Sequence, residues 1–183
     1  MPVDHAAAPG NSKIPDRVKD PITGDAVAGN TGPLKDWAPT WLHTQVRPRI
    51  KTVLMRIHDV APNAKIILMG YPKLLSGAMD CVVGVGKDNE APWLNSLADT
   101  LDQEMDGAAS DAKSQDGINA VFADPRNAFL NKAVCGSPED VNGIVENGRS
   151  QADTDPPNSA MASFHPKIAG VRLYADVLQQ HLP

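Results

Sequence analysis

The stretch of this sequence best suited to chemistry is Ser163-Phe164-His165-Pro166-Lys167-Ile168-Ala169-Gly170, leading into Tyr174-Ala175. Pro166 has its φ preset near the helical value and needs no N–H partner, so it suits the first turn of a helix. His165 therefore stands at a loop–helix junction. An imidazole changes charge close to neutral pH, and one held there can take a proton from a hydroxyl nucleophile as general base. The plainer reading is a histidine that caps the helix. Asp153 and Asp155 lie upstream and are candidates to orient the imidazole, against a plainer reading as a solvated acidic loop.

Other groups carry less. Gly84-Val85-Gly86-Lys87 matches a fragment of a phosphate-binding loop but not the full Gly-x-x-x-x-Gly-Lys-Ser/Thr pattern. Asp99, Asp102, Glu104 and Asp106 share one helical segment and read as its solvated face. Trp37, Trp41 and Trp93 read as helix-packing residues rather than as the rim of a cleft. His5, His43, His58, His165 and His181 are too scattered for a zinc site, so no metal is expected, and no cofactor either. Cys81 and Cys135 permit one disulfide or two free thiols, and their spacing does not decide.

The elements that must position these residues follow from periodicity. Trp37 to Val60 is helical, with Trp41, Val46, Ile50, Val53, Leu54, Ile57 and Val60 largely on one face. Pro48 starts or kinks that helix. Ala61-Pro62-Asn63 ends it, and Ala64 to Gly70 is a short apolar run that reads as a buried strand. Tyr71-Pro72-Lys73-Leu74 leaves the strand's C-terminal end, where open α/β sheets place ligands. Asp80 to Asn89 is a glycine-rich loop. Ala91 to Ala112 is the clearest helix, Ile118 to Ala123 a second strand, residues 125–160 one long irregular stretch, and Pro166 to Leu182 the last helix. Residues 1–36, rich in Pro, Gly, Asn and Asp, read as a flexible arm or long loop ahead of a domain over 37–183. Two strands are few for so much helix, so the pattern predicts strands that are missing or supplied by a partner.

Bulk properties exclude several classes. A chain of 183 residues fits one domain that buries roughly 70% of its unfolded surface. With 42% hydrophobic and 21% charged residues it reads as a soluble globular protein. A net charge of −5 argues against nucleic acid as a main partner. No apolar run approaches the roughly 18 residues of a transmembrane segment. Met1 to Gly10 has neither a basic nor an apolar signal-peptide region.

The Ser-Phe-His-Pro-x-x-x-Gly block followed by Tyr-Ala resembles the last block of the SGNH/GDSL hydrolases, above all the secreted actinomycete esterase and lipase group. Ala61-Pro62-Asn63-Ala64, the apolar run and Gly70-Tyr71-Pro72 resemble that family's helix-end and strand segment. Leu94-Asn95 resembles the start of its next helix. Phe122-Ala123-Asp124, Phe129 and Cys135 resemble the segment before its catalytic loop. The match covers about residues 37–182. It implies that His165 activates a serine and that Cys81 and Cys135 form a disulfide. The sequence departs from the family at its other end. No Gly-Asp-Ser is present: Thr23-Gly24-Asp25-Ala26 has alanine in the serine's place, and Ser12 in Pro9-Gly10-Asn11-Ser12 follows no apolar strand. The Gly-x-Asn-Asp block is also absent, and Ala162 stands where many members carry an aspartate three residues before the histidine.

The expected fold is therefore α/β, part of a three-layer α/β/α sandwich with a parallel central sheet, SGNH-hydrolase-like, with its N-terminal strands missing. The resemblance implies a carboxylic-ester hydrolase of esterase or lipase type, acting on an acyl-glycerol or a sugar acetate, with His165 as general base and a nucleophile not identified in this chain. The implied partners are a small ester or lipid substrate and a missing N-terminal half. The alternative is a catalytically inactive remnant acting as a binding or interaction module. The resemblance implies an extracellular protein.

Overall fold

The computed structural model describes residues 33–77, 79, 81–82, 86, 88–143 and 163–182. Helix α1 (Leu34–Trp41) runs through a π-helical turn (Leu42–Val46) into α2 (Arg47–Val60). The helix thus begins at Leu34, inside the segment read from sequence as an arm. Pro48 explains the wide turn. It has no N–H for the Thr44 carbonyl, and its ring would clash with that carbonyl in a regular helix. The chain widens instead, and the Arg47 N–H bonds the Leu42 carbonyl five residues back.

Strand β1 (Ile66–Met69) and strand β2 (Ala120–Ala123) pair in parallel, Ile66 against Ala120 through Met69 against Ala123. The 27-residue helix α3 (Glu90–Asp116) is the crossover between them. Ile66, Leu68, Ala120 and Phe122 face one way, as the two-residue strand period requires, and pack with Leu54 and Ile50 of α2 and Ala109 and Ala112 of α3. Alanines on α3 let α2 come close. The seam between the two helices is laced by Arg47–Asp111 at 2.8 Å and Lys51–Asp116 at 2.8 Å, and the π-helical turn adds His43–Glu104 at 3.0 Å. Ile67, Met69 and Val121 point to the opposite face and belong to neither of the two cores. The Ile66 and Gly70 N–H groups bond Asn119 and Ala123 of the β2 side, so the Ile67 and Met69 backbone groups point to the other edge. Among the described residues β1 has β2 as its one strand neighbour.

Helix α4 (Ile168–Gln179) is held through a second core built by loops: Leu75, Val82, Phe129, Val134 and Val141, with Phe164, Leu173 and Tyr174 packed on it. The Tyr174 ring lies 4.8 Å from that of Phe129. Cys81 and Cys135 are joined by a disulfide, with Cα atoms 5.6 Å apart, across the same core.

Two amphipathic readings need correction. Val53, Ile57 and Val60 were expected on the buried face of their helix, yet all three are exposed, Val60 at 84%. Of the expected face, Leu54 is buried and Ile50 partly buried, because α3 approaches from that side. On α4, Ile168 is 78% exposed, and Val171 and Leu178 are exposed too, while Val177 is buried. The described residues thus form part of an α/β sandwich: a parallel sheet with helices, one face of the sheet thinly covered.

Candidate active site

His165 is held by backbone rather than by a regular element. Residues 140–142 and 164–167 run antiparallel as a short ladder. Asn142 N–H bonds the His165 carbonyl at 2.9 Å, Phe164 N–H the Asn142 carbonyl at 3.1 Å, and Lys167 N–H the Asp140 carbonyl at 2.8 Å. Phe164 sits at φ 60, a left-handed conformation that costs a non-glycine residue on the order of 1 kcal/mol. That reversal puts the Phe164 ring against the loop core and leaves His165 exposed. Gly170 lets α4 close on the ladder, because a Cβ there would run into the Asp140 carbonyl oxygen. Glu139 completes the anchor. It takes the Lys167 ammonium at 2.6 Å and the Cys135 N–H at 3.0 Å. The Lys167 hydrogen bond, more than any other contact, holds its carboxyl below the usual range.

His165 borders an apolar groove of about 410 Å³. One wall is Tyr71 to Leu74, leaving the C-terminal end of β1. A second is the face of α3 that carries Leu94, Leu97, Ala98 and Leu101. The third is Val141, Ser163 to Pro166 and Tyr174, and Leu42 also lines the groove. The groove therefore lies off the strand end where the sequence placed ligands. Burial first, then the charges of Tyr71 and Asp102, pushes the Tyr174 phenol up to about 12, so a neutral hydroxyl stands at this wall at any ordinary pH.

Beneath the groove walls lies a group that the sequence reading misplaced. Asp102, expected on a solvated helix face, is 0% exposed. Glu104 and Asp99 are half-buried in ion pairs, and Asp106 is exposed. Asp102 Oδ1 accepts the Tyr71 N–H at 2.9 Å, tying the loop wall to the α3 wall. Its Oδ2 has no hydrogen-bond donor, and Arg126 Nε stands 3.5 Å away. Gly70 makes room for this carboxylate, since a Cβ there would meet Oδ1 and the Phe122 ring. Burial pushes the Asp102 carboxyl up to about 6, against the pull of the Tyr71 N–H and Arg126. Arg126 also grips Asp124 at 2.7 Å and Asp99 at 3.3 Å, and its hydrogen bonds hold the Asp124 carboxyl below the usual range. Lys73 pairs with Asp99 at 3.2 Å.

The remaining expectations fall as follows. Trp37 and Trp41 pack edge to face with ring centres 6.3 Å apart, and neither they nor Trp93 lines the groove. Asp153, Asp155, Ser12, Ala26, Ala162 and most of Gly84 to Lys87 lie outside the described residues. Ser163, two residues before His165, is the serine that lines the groove among the described residues. Among the described residues, no helix is long and apolar enough to cross a membrane.

Comparison with known proteins gives a fold. The chain is similar in structure to phospholipase A1 from Streptomyces albidoflavus, with a TM-score of 0.65 and 21% sequence identity over 81% of this chain. It is also similar to an extracellular lipase from Streptomyces rimosus, with a TM-score of 0.60 and 19% identity over 81% of this chain. It spans 56% of the length of each. No family model matches the sequence, and no curated protein does.

Proposed function

We propose that this chain forms the histidine-bearing side of a carboxylic-ester hydrolase site. The fold it shares with a phospholipase A1 and a lipase supports that reading, as does the sequence resemblance to SGNH/GDSL hydrolases. The observation that carries it is the place of His165: exposed, fixed by a backbone ladder, on the border of an apolar groove at the C-terminal end of a parallel strand. Such a groove suits the acyl part of an ester. His165 acts as general base toward a serine supplied from outside the described residues. The serine oxygen bonds to the acyl carbon while its proton passes to the imidazole. The ester C–O bond then breaks, the leaving alkoxide takes that proton, and an acyl-enzyme remains for water to hydrolyse by the same path in reverse. Asp153 and Asp155 are the candidates to orient the imidazole. The Cys81–Cys135 disulfide and the extracellular lipase neighbour support export to an oxidising compartment.

A second reading is a module that holds an apolar ligand without turning it over. It is favoured by the alanine at position 26, in the place of a Gly-Asp-Ser serine.

Hydrolysis of p-nitrophenyl butyrate by the purified chain, His165→Ala and Ser163→Ala separates these. The expected result is turnover that drops at least about 100-fold in His165→Ala, the lower range for losing a general base, and persists in Ser163→Ala. Equal turnover with and without His165 refutes the assigned role. No turnover in any variant means that this chain lacks its nucleophile, and alkyl ligands still bound in the groove then leave a binding module or a half-site completed by a serine-bearing partner.

A further inference from the structure

The groove has a polar neighbour. A second depression of about 450 Å³ opens on the other side of Lys73, which lines both. Helix α3 serves the two with adjacent residues: Leu94 and Ala98 face the groove, Asn95 and Asp99 the basin. The loop wall divides likewise, with Leu74 toward the groove and Leu75 and Ser76 toward the basin.

The basin's charge is balanced. Its cations, Lys73 and Arg126, are held by its anions, Asp99 and Asp124, at 3.2, 3.3 and 2.7 Å. An anionic group entering it meets both carboxylates, and a cationic one meets the ammonium and the guanidinium. Either would have to displace an existing partner. An uncharged group rich in hydroxyls finds donors and acceptors without doing so. Asn127 and Asn131, both exposed, add amides to the basin wall.

We propose that the basin receives the uncharged, hydroxyl-rich head of an amphiphile whose hydrocarbon chain lies in the groove, with Lys73 at the saddle between them. This assigns a class to the substrate and rests on the groove being the acyl site. It needs no chemistry beyond the hydrolysis already described, and it separates neutral polyol esters from charged lipids.

The test uses three eight-carbon probes below their micelle concentrations: n-octyl β-D-glucopyranoside, octyl phosphate and 1-octanol. Binding to the ¹⁵N-labelled chain is followed by NMR. The glucoside is expected to shift the Asn127 and Asn131 side-chain amides, and octanol only the groove. The glucoside should bind at least about fivefold more tightly than octyl phosphate, the margin of one well-made hydrogen bond. Asn127→Ala, at an exposed loop position, should weaken the glucoside about fivefold and leave octanol unchanged. Glucoside binding that leaves the basin amides unmoved and ignores Asn127→Ala overturns the basin while the groove stands. Tighter binding of octyl phosphate overturns the uncharged head. If none of the three binds, the acyl-groove reading itself fails.

Discussion

Replacing Asp102 with asparagine keeps an oxygen for the Tyr71 N–H and removes the proton that this carboxyl can bind. In the folded chain that carboxyl is pushed up to about 6 from an ordinary 3.8. The folded protein therefore holds this proton more tightly than the unfolded chain does. The resulting stabilisation is fully present below about pH 4 and is lost as pH rises through 6. A gap of about two pH units, at about 1.36 kcal/mol each, makes the loss about 3 kcal/mol. Asparagine has no such loss. The stability of Asp102→Asn minus that of the wild type should thus rise by about 3 kcal/mol between pH 4 and pH 7.5. For a chain of this size that is a relative gain in Tm of roughly 6–12 °C. Urea denaturation of both proteins at half-unit pH steps gives the difference directly. Asp124 and Glu139, whose carboxyls are held low, titrate in both proteins and largely cancel. A difference that stays flat with pH would mean that Arg126 and Tyr71 compensate the burial of Asp102 fully, and the reasoning would be wrong.

Two further outcomes follow from the anchor of His165. Gly170→Ala should cost about 1–3 kcal/mol, the usual range for overpacking, and should weaken ester turnover or groove binding as α4 is pushed off the Asp140 carbonyl; calorimetry and the butyrate assay check it. Reducing the Cys81–Cys135 bridge, with its separation of 54 residues, should cost about 4 kcal/mol by loop entropy; urea midpoints with and without reductant measure that.

How much was legible can be judged residue by residue. The strands show as short apolar runs, one ending in Gly70 and the other in Asp124-Pro125, because a strand buried by neighbours needs no other signature. His165 shows because proline follows it. Asp102 was hidden by its charge. Its spacing places it on the stripe of Ala98, Met105, Ala109 and Ala112, which are all buried, so position should have outweighed residue type. The π turn leaves only Pro48 as a trace. The ladder around His165 has no periodicity to read. It pairs residues across a long stretch of sequence, and nothing in either segment names its partner. The exposed Val53, Ile57 and Val60 were misplaced because periodicity gives a helix its apolar face but not the neighbour that covers it.

Among the described residues the Ile67–Met69 edge of β1 has no strand paired to it, and this has a thermodynamic consequence. A strand that could pair with the Ile67 and Met69 backbone, and cover the face they share with Val121, would bind the folded chain and not the unfolded one. Native stability then includes a mass-action contribution, about 2.7 kcal/mol when such a strand is present at a hundred times its dissociation constant. Melting temperature becomes a function of concentration and surroundings, so two preparations of the same chain can melt apart without differing in any residue.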